Sequence, residues 1–115
     1  MAKALPLPDP VRERGVCCPA KTLLRAEKAD LVATILKALS DPTRLQMALI
    51  LRDADGPLCI CDLTATFDLS QPTVSHHMAK LRAAGLVESS KQGIWSHYRI
   101  ARDLPSTAKR ILATL

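Results

Sequence analysis

The chain has 115 residues, 48% of them hydrophobic and 23% charged, with a formal net charge of +5 and an isoelectric point near 9.3. This length predicts one domain, and the basic charge favours nucleic acid as a partner. No apolar run approaches the roughly 20 residues that span a bilayer, and the first residues lack a secretory signal, so we expect a cytoplasmic protein with no membrane partner.

The N-terminal segment differs in composition from the rest of the chain. Residues 1–22 contain four prolines and the adjacent Cys17 and Cys18, which predicts a flexible arm ahead of a folded domain at residues 23–115. In a reducing cytoplasm, we expect the four cysteines to be thiols, ligands or inert core residues rather than structural disulfides.

Two helices are predicted after the arm. Apolar residues at helical spacing indicate the first helix over residues 23–39, and its apolar stripe is broad enough for a dimer partner to cover one side. Asp41 is a suitable N-cap and Pro42 a suitable first residue for the second helix, which should run to about Arg52. We expect this helix to turn three residues inward: Leu45, Ala48 and Leu49.

A helix-turn-helix, a hairpin and a last helix are predicted next. A short helix over residues 60–67 precedes a helix that Ser70 caps and Gly85 ends, with Val74, Met78 and Leu81 facing inward. Strands at residues 86–90 and 94–100 flank a predicted turn at Lys91-Gln92-Gly93, and Asp103 should open the final helix. The predicted fold is therefore mostly helical with a small β-hairpin: a winged helix-turn-helix, dimeric.

The second helix of a helix-turn-helix enters the major groove of DNA and reads bases from its N-terminal residues. The polar face opposite the inward stripe therefore predicts contacts to base edges and phosphates, since Gln can pair with adenine and Lys or Arg can bind phosphates. Lys91 and Arg99 belong to the predicted wing and are expected to meet the DNA backbone or the minor groove. The predicted DNA-binding residues are Gln71, Thr73, Ser75, His76, Lys80, Lys91 and Arg99.

Three stretches carry a resemblance to a known family. KALSDPTRLQMALIL, LCICDLTATFDLSQPTVSHHMAKLRAAGLV and GIWSHYRI resemble the ArsR/SmtB family of metal- and metalloid-sensing repressors, over roughly residues 30–100. The resemblance implies a homodimer built on the first and last helices, binding to palindromic double-stranded operator DNA, and release of that operator when an ion binds. It is closest to the arsenic-sensing members.

Cys59 and Cys61 form a Cys-x-Cys-Asp motif at the start of the short helix. Thiolates select soft ions, but two sulfurs are an incomplete site because most stable thiolate sites have three or four ligands. Cys17 and Cys18 could complete the site if the arm crosses to it, within one subunit or between subunits.

The resemblance refines this ligand set. Arsenic sensors hold As(III) or Sb(III) with three thiolates; in one group the third cysteine follows closely, where this chain has Thr64, and another group has an adjacent cysteine pair in the arm. A branch that senses Cd(II) or Pb(II) uses four thiolates. We expect As(III) or Sb(III) on Cys17, Cys18 and one or both of Cys59 and Cys61, with Cd(II), Pb(II) or Zn(II) as the alternative.

Other functions fit the same residues less well. A redox sensor would use the same cysteines to form a disulfide, and a zinc-stabilised structural domain would unfold on chelation. An enzyme is not expected, because the sequence has no glycine-rich phosphate loop and no cysteine, histidine and aspartate arranged for nucleophilic catalysis.

Overall fold

Five helices and three strands make up the described part of the chain, which is residue 15 and residues 17–115 of a computed structural model. The helices are α1 (Ala26–Ala38), α2 (Pro42–Asp53), α3 (Ile60–Phe67), α4 (Gln71–Ala83) and α5 (Ser106–Ala113). The strands are β1 (Leu58–Cys59), β2 (Val87–Gln92) and β3 (Trp95–Ile100). The prediction of a flexible arm over residues 1–22 falls largely on residues outside the described ones; residues 17–25 contain neither helix nor strand.

The boundaries of α2 and α4 follow the capping residues that the sequence predicts. The Asp41 carboxylate accepts a hydrogen bond from the Arg44 amide at 2.9 Å, and Pro42 begins α2. The Ser70 hydroxyl accepts from the Thr73 amide at 3.3 Å and so caps α4. Gly85 has a φ of +77°, the left-handed conformation that ends a helix without a Cβ clash.

The core joins α3 and α4 to α2 and the sheet. Val74, Met78 and Leu81 of α4 are fully buried, as predicted, and pack with Leu63 of α3. In α2 the prediction is only partly right: Ala48 is buried, whereas Leu45 and Leu49 are half-buried at the edge of the core. Three other α2 residues are buried, namely Arg44, Met47 and Leu51. The stripe therefore lies about one residue away from its predicted position.

The sheet differs from the predicted two-stranded wing. In the described residues it has three strands in the order β1-β3-β2, because the two-residue strand β1 pairs antiparallel with β3. Gln92 pairs with Trp95, so Gly93 and Ile94 form the hairpin turn, and Lys91 and Gln92 lie in β2 instead of the turn. Gly93 supplies the positive φ that such a two-residue turn requires.

The final helix also starts later than predicted. Asp103 does not cap it; α5 begins at Ser106 after Pro105, and no side chain of the described residues caps its first turn. Lys28 of α1 donates a 3.0 Å hydrogen bond to the Thr107 hydroxyl and thereby joins the first and last helices. None of the helices in the described part of the chain is long and apolar enough to cross a bilayer.

The first helix presents two kinds of apolar residue. Ile35 and Ala38 are buried against the core of the same chain. Leu31 and Leu36 are 40% and 51% exposed, and Leu115 after α5 is 59% exposed. The α1 and α5 pair therefore leaves three leucine side chains exposed in the single chain.

Candidate nucleic-acid interface and thiol site

Helices α3 and α4 meet through a tight turn that fixes their relative angle. Asp68 adopts a left-handed conformation with φ of 52°, and its amide bonds to the Thr64 carbonyl. The Leu69 amide reaches the same carbonyl at 3.3 Å. The two helices thus form a helix-turn-helix in which α4 turns its buried stripe to the core and its opposite face to solvent.

The exposed face of α4 carries most of the predicted DNA-binding residues. Gln71, Thr73, His76 and Lys80 are exposed and Ser75 is half-buried. The Thr73 hydroxyl lies 2.8 Å from the Ser70 hydroxyl, so it belongs to the cap as well as to the surface. The first turn contains no acidic residue, which leaves the positive end of the helix dipole uncompensated and suitable for phosphate.

The two basic residues predicted to contact DNA from the wing have different surroundings. Lys91 is exposed near the hairpin tip, opposite Ser96. Arg99 lies near the base, where it is half-buried and pairs with Glu88 at 2.8 Å. Glu88 also accepts a hydrogen bond from the Arg102 amide. Among the described residues Lys91 has no ion pair and can meet a phosphate, whereas the charge of Arg99 is already partly neutralised.

Sequence reasoning missed the apolar tip of the wing. Ile94 is 85% exposed and Trp95 is 45% exposed, beside the positive-φ turn at Gly93. The predicted turn at Lys91-Gln92-Gly93 did not reveal this feature, because it placed polar residues at the tip. A hairpin tip with an exposed indole and an isoleucine side chain can lie against a DNA groove or a partner surface.

Cys59 and Cys61 lie together where β1 passes into α3. Cys59 is the N-cap of α3 and is half-buried, and its sulfur accepts a hydrogen bond from the Cys61 amide at 3.4 Å. The Asp62 carboxylate accepts from the Cys59 amide at 3.0 Å, which completes a capping box. The motif therefore joins the first helix of the helix-turn-helix to the edge of the sheet.

The two sulfurs interact with each other. Donation from the Cys61 thiol to the Cys59 sulfur raises the pKa of Cys61 above its ordinary value, and burial and negative charge on Cys59 and Asp62 raise it further. Two adjacent thiolates repel, so a bound cation would stabilise both more than either alone. This donor pair fits a thiophilic ion.

The remaining predicted ligands are not brought to this pair. Cys17 and Cys18 are exposed in the segment before α1. In the described part of a single chain, no three His, Cys, Asp or Glu side chains are grouped so that they could hold a metal ion. Thr64, at the position where the family resemblance implies a third cysteine in one group, donates a 2.9 Å hydrogen bond to the Cys61 carbonyl.

His97 is a further neighbour that the sequence did not indicate. It lies directly opposite Cys59 in the pairing of β1 with β3. Its Nδ1 atom is buried without a hydrogen-bond partner among the described residues. No sequence pattern could have placed it there, because β1 was not predicted.

Comparison with known proteins supports the resemblance drawn from the sequence. Residues 41–89 match the model of the bacterial regulatory protein arsR family. An arsenical resistance operon repressor of Escherichia coli K12 is 45% identical over 78 residues, which cover 68% of this chain and 66% of that protein. A cadmium resistance regulatory protein CadC homolog of Staphylococcus aureus is 38% identical over 80 residues, covering 70% and 64%. The chain thus spans slightly under two thirds of the length of these relatives.

A solved structure shows the same architecture. The winged helix-turn-helix DNA-binding domain of a possible ArsR-family transcriptional regulator from Mycobacterium bovis, described as homodimeric, aligns with a TM-score of 0.66 at 28% identity. The alignment covers 84% of this chain and 85% of that domain. The predicted fold class, a mostly helical winged helix-turn-helix with a small hairpin, is confirmed.

Proposed function

Because the chain belongs to the arsR family of bacterial regulatory proteins, whose members are DNA-binding transcriptional regulators, we propose that it is a cytoplasmic repressor that leaves its operator when As(III) or Sb(III) binds its cysteine thiolates. Membership of this family confirms that the chain is not an enzyme. The observation that carries the proposal is the adjacent sulfur pair at the start of α3, the helix that packs on the DNA-reading helix α4.

Operator binding is assigned to the exposed face of α4 and to the wing. Gln71, Ser75 and His76 are in the N-terminal half of α4, where a recognition helix meets base edges. Thr73 and Lys80 flank them, and Lys91 extends the contact from the wing to the backbone. Arg99 is assigned a weaker contribution because it is ion-paired with Glu88.

A homodimer would present two such helices to one operator. The exposed leucines of α1 and the exposed end of α5 give a partner subunit an apolar surface, and the M. bovis domain is described as homodimeric. A dimer buries these leucines and spaces the two α4 helices about one turn of DNA apart. Any change in the angle of α3 and α4 then alters that spacing.

The proposed ion site combines both cysteine pairs. Cys59 and Cys61 supply two sulfurs, and the exposed Cys17 and Cys18 ahead of α1 would complete the site from the same subunit or its partner. Trivalent arsenic and antimony suit three thiolates, and the E. coli relative is an arsenical resistance repressor. Cd(II), Pb(II) or Zn(II) on four thiolates is the alternative, which the cadmium-resistance relative favours.

Release follows from the double role of Cys59. Its sulfur caps α3 and its backbone pairs with β3, so a ligand role for that sulfur competes with the cap and pulls on the sheet. Ligation also requires the Cys59 and Cys61 thiols to lose their protons, so ion binding is coupled to proton release. A coupling of about 1–3 kcal/mol would weaken operator affinity roughly 5- to 150-fold.

Fluorescence anisotropy of labelled operator with the reduced protein tests the proposal. Adding arsenite or antimonite should weaken operator binding, and the double variant Cys59→Ser, Cys61→Ser should bind operator without responding. A stronger response to Cd(II) or Pb(II) would establish the alternative ion. A response to peroxide that reductant reverses, with none to any ion, would identify a redox sensor instead.

A further inference from the structure

Arg44 is a charged side chain held inside the fold. Only 9% of it is exposed, and it lies between the end of α1, the start of α2 and the recognition helix α4. Its Nε donates a 2.7 Å hydrogen bond to the carbonyl of Ala38, the last residue of α1. A buried charge is tolerated only when it is well hydrogen-bonded, so its remaining donors also need partners.

The second partner of the guanidinium is on the recognition helix. Arg44 Nη1 lies 3.2 Å from Nδ1 of His77, which is half-buried. A guanidinium has donors only, so His77 Nδ1 must be the acceptor and therefore carries no proton. The Asp41 carboxylate is 4.0 Å from the same atom, too far for a hydrogen bond, and it already accepts from the Arg44 amide. The contact thus fixes one tautomer, neutral His77 with the proton on Nε2.

We infer that Arg44 and neutral His77 together hold recognition helix α4 at its angle to α1 and α2, and that adding a proton to His77 releases this connection. A proton on His77 Nδ1 would replace the acceptor that faces the guanidinium with an N–H donor. The ring and the guanidinium would then both be positively charged. His77 is therefore a positioning residue for operator reading, whereas the adjacent His76 faces outward. The consequence for operator binding rests on the proposed function; the tautomer and the effect on unfolding do not.

The charges around His77 point in the same direction. Burial lowers its pKa below the ordinary value of 6.5, and the cations Arg44 and Lys80, with His76, lower it further, while Asp41 opposes them. The unfolded chain therefore takes up this proton more readily than the folded chain does. The contribution of His77 to stability is complete above pH 6.5 and is lost as the pH falls below that value.

Nitrogen-15 NMR of the imidazole rings tests the tautomer directly. At pH 7.5, His77 should show a protonated Nε2 and an unprotonated Nδ1 hydrogen-bonded to Arg44, and this pattern should vanish on acidification. The His77 signal is the one that is missing from the spectrum of a His77→Asn variant. A ring that exchanges freely between tautomers, or that carries its proton on Nδ1, would overturn the inference.

Two variants and one control separate positioning from general structural damage. His77→Asn keeps an acceptor oxygen near the Nδ1 position but does not titrate, His77→Leu removes the acceptor, and His76→Asn is the matched control. Between pH 7.5 and 5.5, the unfolding equilibrium constant of the wild type and of His76→Asn should rise several-fold more than that of His77→Asn. His77→Leu should be less stable than His77→Asn at pH 7.5. Equal pH dependence of the wild type and His77→Asn would refute the inference.

Operator affinity provides the functional measurement. Over the same pH range, the ratio of wild-type to His77→Asn affinity should fall on the order of fivefold or more, within the usual range of couplings between sites. This ratio cancels the contribution of the exposed His76. A constant ratio would show that His77 does not position α4 for DNA. Absence of operator binding at every pH would instead reject the proposed function and leave the NMR result to decide the tautomer.

Discussion

Replacing Cys59 with serine or with alanine separates its two roles, because the residue is both the N-cap of α3 and a proposed ion ligand. Serine retains a capping acceptor and is a preferred N-cap, whereas alanine has none. Neither replacement supplies a thiolate. Both variants therefore remove the proposed ion ligand, but only the alanine variant also removes the cap.

The structure sets the expected magnitudes. The sulfur accepts at 3.4 Å from the Cys61 amide, a long contact to a weak acceptor, and the side chain also packs at the edge of the core. Cys59→Ser should stay within about 0.5 kcal/mol of the wild-type stability, since a better cap offsets lost packing. Cys59→Ala loses both and should cost about 1–2 kcal/mol.

Urea unfolding of reduced protein measures the stability difference, and operator anisotropy with and without arsenite measures the response. We expect Cys59→Ser to unfold like the wild type and bind operator normally, yet to lose most of its release by arsenite. A serine variant that still releases normally would refute the ligand role. A serine variant as unstable as the alanine variant would refute the capping role.

Three further predictions follow from other parts of the fold. Leu63→Ala, at a fully buried position between α3 and α4, should cost about 2–5 kcal/mol in urea unfolding; a loss below 1 kcal/mol would show that this contact is not part of the core. Hydrogen bonds from the Arg102 amide and Arg99 lower the pKa of Glu88, so the contribution of Glu88 to stability is present above pH 4.5 and disappears as the pH falls. Glu88→Gln should therefore flatten the acid side of the profile of stability against pH. An unchanged profile would count against the ion pair of Glu88 with Arg99. Lys91→Ala should reduce the salt dependence of operator binding by about one phosphate contact, seen as a smaller slope of log affinity against log salt; an unchanged slope would remove Lys91 from the interface.

Local sequence signals predicted the helices well where a capping residue marks the boundary. Asp41-Pro42 and Ser70 each begin a helix as expected, and Gly85 ends α4. These residues act through hydrogen bonds and backbone angles within one turn, which short-range patterns report. The predicted start of α5 was wrong because it relied on the same kind of local signal. Asp103 is a residue type that suits a cap, but the chain enters the helix only after Pro105.

Long-range pairing could not be predicted in this way. Strand β1 has only two residues, too few to show alternation, and it exists because Leu58 and Cys59 pair with Tyr98 and His97 far along the chain. The buried position of Arg44 was also missed, since a charged residue gives no apolar signal and its partners lie in other helices. The cysteine motif itself was visible in the sequence, but its place at the junction of sheet and helix was not.

Ion and operator are proposed to weaken each other's binding, and thermodynamic linkage makes this coupling measurable from the ion side. Thiolate absorbance titrations of the reduced protein with arsenite, in the presence and absence of saturating operator, give the ion affinity in each state. We predict that operator weakens ion binding by the same factor by which ion weakens operator binding, within roughly 5- to 150-fold. Equal ion affinity in the two titrations would contradict the account.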